Sequence, residues 1–207
     1  MNPTTAAESS NHLRGRRAVL DRRTVLGQLG ATLLACGPAW AWAADDATTF
    51  DEQSILKAAT DFFGKSAEGL AKVIEKAFTE QGRPNAYIVG EEVSAAISVG
   101  VRYGDGRLTM KSGVTQRVFW AGPSIGFDVG ANASKVFTLI YKLPSPEAIF
   151  QRFPGVEGSL YYIGGVGINY QRLDGITLAP VRLGVGLRTG ASVGYVHYRR
   201  EKTMNPL

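Results

Sequence analysis

The stretch LYYIGGVGINYQRLDGITLAPVRLGVGL, residues 160–187, decides the fold class because its residues alternate in character along most of its length. Alternation with a period of two is typical of β-strands rather than helices. Asp174-Gly175 separates two alternating runs, and Asp-Gly in that position favours a tight hairpin turn. The pattern therefore predicts two antiparallel strands, over 159–171 and over 176–187.

The alternation also predicts which side of each strand is packed. In the first run the even positions from Leu160 to Tyr170 form the apolar set. In the second run the odd positions from Ala179 to Leu187 do so, whereas Arg182 and Arg188 lie at even positions. We expect the apolar side of each strand to pack and the other side to meet water.

The same β character extends over the chain beyond Ala86, where most of the 25 glycines are interleaved with β-branched and aromatic residues. Further strands are predicted over 86–92, 94–103, 107–111, 114–121, 124–130, 135–142 and 191–199. Reversals are predicted at Tyr103-Gly104-Asp105-Gly106, Ser112-Gly113 and Ala121-Gly122-Pro123. One short helix is predicted between Ser145 and Phe153, with the serine as its cap and a proline at its first position.

These strands predict a mainly β domain over 86–200, in the form of a small antiparallel β-barrel. A β-sandwich is the alternative, because period-two alternation is the same in both architectures. Glycines within strands, at 164–167 and at 184–186, have two interpretations. They permit sharp curvature of the strands, or they keep an interior open for a ligand.

A helical segment precedes the strands. Between Asp51 and Gln81 apolar residues recur at spacings of three and four, which is typical of amphipathic helices. Gly64 separates two helices, and the run from Gly82 to Asn85 ends the second. The polar face mixes lysines with acidic residues, so we expect the helices to dock on the barrel rather than on a membrane surface. Residues 44–85 are therefore a predicted lead-in, and 201–207 a tail.

The first 43 residues have the layout of a cleavable export signal: a basic start, an apolar middle and a small-residue end. Arg22-Arg23 resembles the start of a twin-arginine signal, although two arginines are also the positive end of an ordinary secretory signal. Cleavage between Ala43 and Ala44 is the preferred prediction. Acylation of Cys36, which follows a lipobox-like run, is the alternative and would give a membrane-tethered lipoprotein facing the periplasm.

Charge and composition exclude several classes of function. The formal net charge is +5, but the arginines of the predicted signal hold most of it, and the mature chain lacks the basic stripe of nucleic-acid-binding proteins. Cys36 lies within the signal, and His197 is the sole histidine after it, so we predict no metal and no cofactor. The partners that remain are a lipid, an anionic envelope polymer or envelope proteins.

The chain also has few side chains that are arranged for catalysis. Glu91 and Glu92 are neighbours on a predicted strand, so they point to opposite faces and cannot act together. A hydrolase would require one of them to face Asp128 across a cleft. The glycine-rich runs are not followed by a helix, so they lack the helix N-terminus of a phosphate loop. We therefore predict that the protein is not an enzyme.

A binding surface is the remaining hypothesis. Cations and aromatic residues accumulate in the β region, where together they suit anionic headgroups or acidic polysaccharide. The other interpretation is that they form the solvated outer face of a barrel. The candidate ligand-binding residues are Arg102, Tyr103, Arg117, Trp120, Lys135, Arg152, Tyr162, Arg182 and Arg188.

Several of these runs resemble a known family. They are YIVGEE, VGVRYGDGRLTMK, VFWAGPSIGFDVGANASKVFTLIYKL, FQRFPGVEGSLYYIGGVGINYQR and LAPVRLGVGLRTGASVGYVHY. Over roughly residues 50 to 200 the chain resembles the bacterial envelope integrity protein EipA family. The resemblance implies an exported, periplasmic, small β-barrel with helical additions that maintains the cell envelope, and it supplies no catalytic residues. VGVRYGDGRL and WAGPSIGFDVGANASKVFTLI also show a weaker likeness to the SYLF domain, which implies a lipid partner.

Export, the scarcity of catalytic groups and the resemblance together predict the function. We expect a periplasmic, non-enzymatic barrel that supports envelope integrity by binding a lipid or an anionic envelope component. The alternative is a protein-interaction module that docks on an envelope assembly complex through exposed strand edges and aromatic residues.

Overall fold

The structure is a computed structural model that describes residues 47–64, 68–128, 133–183 and 194–203. The predicted export signal lies outside these residues, with both of its alternative processing positions, Ala43/Ala44 and Cys36. Arg188 also lies outside them.

Two helices open the described chain, as predicted. Helix α1 spans Glu52–Phe63, and the Asp51 side chain caps it by accepting a hydrogen bond of 2.8 Å from the Ser54 backbone N–H. Gly64 ends it in the left-handed conformation, which glycine adopts without steric cost. Helix α2 spans Glu68–Gln81. Local capping chemistry therefore fixes the ends of α1 where the sequence pattern places them.

In the part of the chain that the structure describes, nine strands form one antiparallel sheet. They are β1 (Ala86–Met110), β2 (Thr115–Asp128), β3 (Ala133–Tyr141), β4 (Arg152–Pro154), β5 (Tyr161–Ile163), β6 (Val166–Ile168), β7 (Gln171–Leu173), β8 (Ile176–Leu183) and β9 (Tyr195–Arg199). The sheet order is β4-β9-β2-β1-β3-β8-β6-β5, and β7 also pairs with β8. A single 3₁₀ turn, Pro146–Ile149, precedes β4.

The sheet curls into a barrel-like structure. Gly155, directly after β4, forms an antiparallel bridge with Gln171 of β7, and the Val156 N–H donates to the Tyr170 carbonyl at 2.9 Å. Hydrogen bonding thus continues from β4 through β9, β2, β1, β3 and β8 to β7, and back to β4. The predicted mainly β, barrel-like fold is confirmed. One continuous sheet distinguishes it from the alternative, a sandwich of two packed sheets.

Strand β1 runs without a break through the turn predicted at Tyr103 to Gly106, so that prediction is wrong. The chain reverses instead after Met110, where Gly113 has a φ of 88° and donates to the Met110 carbonyl at 2.9 Å. The first part of β1 pairs with β3 and the later part with β2. Gly90 and Gly106 allow the two parts to approach, because a Cβ on either would overlap the other's backbone.

The reversal predicted at Ala121-Gly122-Pro123 is also wrong, since β2 continues through these residues as one strand. Gly122 pairs with Arg102 of β1. A Cβ at Gly122 would overlap the carbonyl oxygen of Tyr195. Glycine is therefore needed here for the close approach of β9, and not for a turn.

The predicted strand 159–171 is broken into β5, β6 and β7. Gly164 and Gly165 have φ angles of 55° and 81° and form the turn between β5 and β6. The first two apolar residues of the predicted packed side are consequently exposed, with Leu160 at 46% and Tyr162 at 37%. The predicted turn at Asp174-Gly175 is confirmed between β7 and β8.

The predicted short helix differs from the structure, and two of the predicted strands are only partly described. The predicted short helix is a 3₁₀ turn in which Ser145 makes no side-chain cap, and β4 occupies the end of its span. The described part of the predicted strand 176–187 ends at Leu183, and that of 191–199 begins at Tyr195. Residues 184–187 of the first predicted strand and residues 191–193 of the second lie outside the described residues.

The fold has two cores, on opposite sides of β3 and β8. Odd residues such as Phe137 and Val181 pack against Ile55, Ile74 and other residues of the two helices. Even residues such as Ile140 face the barrel interior with a second apolar cluster. Strand β8 is therefore buried on both sides from Ile176 to Val181, and the prediction that its even side meets water is wrong.

Candidate functional site

A buried polar cluster lies in the barrel interior around Glu92, which is 7% exposed. The Trp120 Nε1–H donates to Glu92 Oε2 at 2.9 Å. Arg182 donates to both carboxylate oxygens, from Nε at 3.3 Å and from Nη2 at 3.2 Å. Arg182 Nη1 also donates to Asn169 Oδ1 at 3.2 Å. Side chains of β2 and β8, two strands distant in sequence, thus converge on one carboxylate of β1.

Arg102 is a second buried guanidinium in this region, at 7% exposure. Its Nε and Nη2 donate to the Pro123 carbonyl at 3.0 and 2.9 Å. Burial lowers the pKa of Arg102, while the charge of Glu92 raises it. Among the described residues, the cluster therefore sets two guanidinium groups against one carboxylate.

Burial alone would raise the pKa of Glu92. The positive charges of Arg182 and Arg102, together with the hydrogen bond from Trp120, outweigh burial and hold that pKa below its ordinary value of 4.5. Tyr198 lies beside the cluster, and burial raises the pKa of its phenol well above the ordinary range. The carboxylate is thus ionised, and its charge is neutralised within the fold.

Glycines make room for Trp120 in this interior. A Cβ at Gly104 would overlap the indole ring, and a Cβ at Gly90 would also meet it, so both parts of β1 can lie against the ring only because they carry glycine. Trp120 packs against Tyr198, and the centroids of the two rings are 5.9 Å apart. At these positions glycine accommodates a side chain of the protein itself and does not leave space for a ligand.

The remaining predicted site residues are dispersed over the surface. Arg117 forms an exposed ion pair with Asp105 at 3.2 Å, and its guanidinium lies 5.0 Å from the Phe119 ring centroid. Lys135 Nζ donates to the Phe62 carbonyl at the end of α1, at 2.8 Å. These cations are each engaged by a local neighbour.

Arg152 and Tyr162 lie elsewhere on the barrel. The Arg152 guanidinium stacks 4.3 Å from the Tyr195 ring centroid. Tyr162 is partly exposed on β5, the last strand in the sheet order. The structure therefore brings together Arg102, Trp120 and Arg182 from the predicted set, and separates Arg117, Lys135, Arg152 and Tyr162 from them.

A pocket of about 280 Å³ opens beside the barrel. Residues of both parts of β1 line it, and the segment after β9 forms one of its walls. Tyr103 and Trp120 are the two predicted residues that line it. The remaining lining residues are Glu91, Val93, Gly104, Asp105, Phe119, Ala121, Ala133, Arg199, Glu201, Lys202 and Thr203.

Most residues that line this pocket were not predicted from the sequence to bind a ligand. Glu91 was weighed only as a catalytic carboxylate, and Glu201 and Lys202 were placed in a tail. Residues 91 and 105 meet only because β1 bends back along itself, and no local pattern marks that bend. The prediction that Glu91 and Glu92 face opposite ways is confirmed, since Glu91 is exposed and Glu92 is buried.

His197 has a local structural environment. Arg199 Nε donates to its Nδ1 at 3.2 Å, and burial, followed by the charges of Arg199 and Arg152, lowers the pKa of the imidazole. Within the described ranges, no group of three or more histidine, cysteine or acidic residues is arranged to hold a metal ion. In the same part of the chain, no helix has the length and apolar character needed to cross a membrane.

Comparison with known proteins gives a family and a structural relative. The family model described as envelope integrity protein A (EipA) matches residues 48–207. The crystal structure of a β-barrel-like, uncharacterized protein from Brucella abortus is 40% identical, with a TM-score of 0.72. The alignment covers 78% of this chain and 100% of that one.

No curated protein matches the sequence. None of these findings supports the likeness to the SYLF domain. The family match, in contrast, includes both helices and every described strand, and the structural relative has the same barrel-like character. The chain therefore belongs to the envelope integrity protein A family.

Proposed function

We propose that this protein supports the integrity of the cell envelope from the periplasm, by binding a lipid or an anionic envelope polymer and without catalysing a reaction. Membership of the envelope integrity protein A family carries this proposal. The export-signal layout of the first 43 residues supports the periplasmic location.

The chemistry of the buried carboxylate supports a non-catalytic role. Glu92 is enclosed and its oxygens are occupied by Arg182 and Trp120. A general acid or base needs a pKa near the working pH and access to substrate. Glu92 has a lowered pKa and little exposed surface, so it meets neither condition.

The surface, not the barrel interior, would contact the envelope, because Trp120 and the apolar cluster fill the interior. Arg117 and Arg152 are exposed, and each lies against an aromatic ring. A cation beside an aromatic ring suits an interface that is charged on one side and apolar on the other.

Vesicle and polymer binding test this function. The protein is mixed with phosphatidylglycerol vesicles, with phosphatidylcholine vesicles and with polygalacturonate, at low and at about physiological salt. We expect binding to phosphatidylglycerol or polygalacturonate that weakens as salt screens the charges. The double variant Arg117→Gln/Arg152→Gln is expected to bind several-fold more weakly, whereas Lys57→Gln on α1 serves as the matched control. Absence of binding to both anionic probes at low salt would rule out this mode of action.

Docking on an envelope protein complex is the second candidate, and one observation favours it. Tyr162 in the end strand β5, Leu160 just before it and Val156 after β4 are exposed apolar residues, at 37%, 46% and 38%. Exposed strand edges and aromatic residues are common in protein interfaces. Crosslinking in cells distinguishes the candidates, since one dominant protein adduct that disappears with Leu160→Ser/Tyr162→Ser favours docking, and its absence favours lipid or polymer.

A further inference from the structure

Arg152, His197 and Arg199 lie together on the outer side of the barrel. Arg152 of β4 pairs directly with His197 of β9, and Arg199 follows two residues later on β9. Directly paired residues of antiparallel strands point to the same side of a sheet, as do residues two apart on one strand. Val196 and Tyr198 alternate with them and belong to the barrel interior, so the three side chains point outward. Arg152 is exposed, and the other two are half-buried.

The hydrogen bonds of His197 define its protonation state. Arg199 Nε and Nη2 lie 3.2 and 3.1 Å from His197 Nδ1. A guanidinium only donates hydrogen bonds, so Nδ1 accepts and the ring is neutral, with its proton on Nε2. Protonation of Nδ1 breaks both contacts, because that nitrogen then has no lone pair to accept them. The two N–H groups of Arg199 are thereby released from the ring.

The charged groups that face this imidazole oppose its protonation. They are Arg199 on the same strand and Arg152 on β4, whose charges, together with burial as the largest cause, lower the pKa of the imidazole. Strand β2 presents the uncharged Ala121 on the other side. Glu201 and Lys202, in the segment after β9, have opposite formal charges. An anion held by the two arginines removes this opposition, so anion binding and protonation favour each other.

We propose that Arg152, His197 and Arg199 bind the phosphate diester of an anionic lipid headgroup, and that His197 takes up a proton from solvent as the headgroup binds. In the bound state the Nδ1–H and the released N–H groups of Arg199 donate to phosphate oxygens, and Arg152 donates from the neighbouring strand. A tetrahedral phosphate presents oxygens in several directions, which suits donors that converge from two strands. This inference deepens the proposed function and rests on it, because it names the lipid phosphate and its site.

The surface beside this site favours a lipid over a polysaccharide. The Tyr195 ring centroid lies 4.3 Å from the Arg152 guanidinium, and Tyr195 pairs with the exposed Pro154 in the next row of the sheet. Cations and apolar side chains are thus neighbours on this outer side. Such a boundary matches the level of a bilayer at which headgroup phosphates meet acyl chains.

Binding at different pH values tests the inference. The exported protein, recovered from bacterial envelopes, is titrated with phosphatidylglycerol vesicles, with the soluble headgroup glycerophosphoglycerol and with polygalacturonate. The phosphate diester keeps its single negative charge throughout the titration. We expect the affinity for the vesicles to rise several-fold as the pH falls from about 7.5 to about 5. We expect the soluble headgroup to bind at least about tenfold more weakly than the vesicles, because it covers no apolar residue.

Variants assign the effect to this site. His197→Gln is expected to bind the vesicles with an affinity that no longer rises in acid. Arg152→Gln and Arg199→Gln are each expected to weaken binding at about pH 5 by about tenfold. Arg172→Gln on β7 is the matched control, since it removes the same charge from an exposed arginine that contacts Gln81 of α2. It is expected to bind as the parent does.

The imidazole itself provides a measurement on the unmodified protein, because His197 is the only histidine after the predicted signal. Nuclear magnetic resonance follows its titration with and without glycerophosphoglycerol. We expect the pKa of His197 to rise when the headgroup is bound, by the factor by which acid strengthens headgroup binding. This measurement does not depend on whether Arg199→Gln folds.

Four outcomes overturn the inference. They are a pKa of His197 that the headgroup leaves unchanged, vesicle binding by the parent that is independent of pH, equal affinity for the vesicles and the soluble headgroup, and an acid-dependent rise for polygalacturonate that matches the rise for the vesicles. Failure here is distinguishable from failure of the proposed function. Binding to vesicles or polygalacturonate without this pH dependence leaves the proposed function standing, whereas absence of binding to both removes it.

Discussion

Glu92 is the residue on which the interior polar cluster depends. Arg102, Trp120 and Arg182 were identified from the sequence by residue type, as members of a ligand site. Their convergence on Glu92 depends on the pairing of β1 with β2 and β3, and of β3 with β8, which is long-range information. The sequence pattern therefore identified chemically distinctive residues, but it predicted that the side of the strand carrying Arg182 meets water, whereas that side is packed.

Glu92→Gln is expected to lower the free energy of unfolding by about 3–5 kcal/mol, because removing one partner of a buried ion pair leaves the other charge uncompensated. Denaturant unfolding at about pH 7 measures the change. Arg117→Gln is the control, since its exposed pair with Asp105 contributes about 0–1 kcal/mol. Equal losses in the two variants would contradict the assignment.

The pH dependence of the Glu92→Gln effect is a second control. The folded protein lowers the pKa of Glu92 below 4.5, so the carboxylate contributes stability that is complete above that pH and is lost as pH falls through the folded-state pKa. The difference in unfolding free energy between parent and variant is therefore expected to stay constant above about pH 5.5 and to shrink in more acidic buffer. A difference that grows on acidification would contradict this sign.

At the scale of elements, structure that local residues determine can be predicted from the sequence, whereas structure that distant contacts determine cannot. The two helices and the Asp174-Gly175 and Ser112-Gly113 reversals were predicted because their own residues set the backbone. Tyr103 to Gly106 and Ala121 to Pro123 have the same turn-like composition but lie inside strands. Their glycines are required by Trp120, by the other part of β1 and by Tyr195, none of which is a local neighbour.

Gly69 of α2 is a further glycine with a distant partner. In an isolated helix Gly→Ala stabilises by about 1 kcal/mol. Here a Cβ would overlap the Ile163 carbonyl oxygen, so Gly69→Ala is expected to lower the unfolding free energy by about 1–3 kcal/mol. Hydrogen exchange is expected to show reduced protection in α2. Thr79→Ala, at an exposed position of the same helix, is the control and is expected to be neutral or slightly stabilising.

At the scale of the whole molecule, β3 and β8 join the two cores into one structure. Their long apolar runs are buried by the helices on one side and by the barrel interior on the other. Alternation alone did not predict this, because a strand covered on both sides and a strand covered on one side differ only in what packs against them. For the same reason the sequence alone did not distinguish a β-barrel from a β-sandwich.

Substitutions on the two sides of β3 test the coupling of the cores. Phe137→Ala on the helix side is expected to cost about 3–5 kcal/mol of unfolding free energy, and Ile140→Ala on the barrel side about 2–5 kcal/mol. In both variants we expect one transition, with the loss of helical circular dichroism coinciding with the change in Trp120 fluorescence. Loss of the helical signal at lower denaturant than the Trp120 change would show that the cores unfold separately.

The position of β9 between β2 and β4 also sets the order in which the protein can fold during synthesis. Strand β2 is translated long before β9, so its outer edge has no partner until residues Tyr195–Arg199 emerge. At about 5–20 residues per second this interval lasts several seconds. A translocation machine that accepts unfolded chains can act within it, whereas one that accepts only folded proteins must wait until β9 has been added.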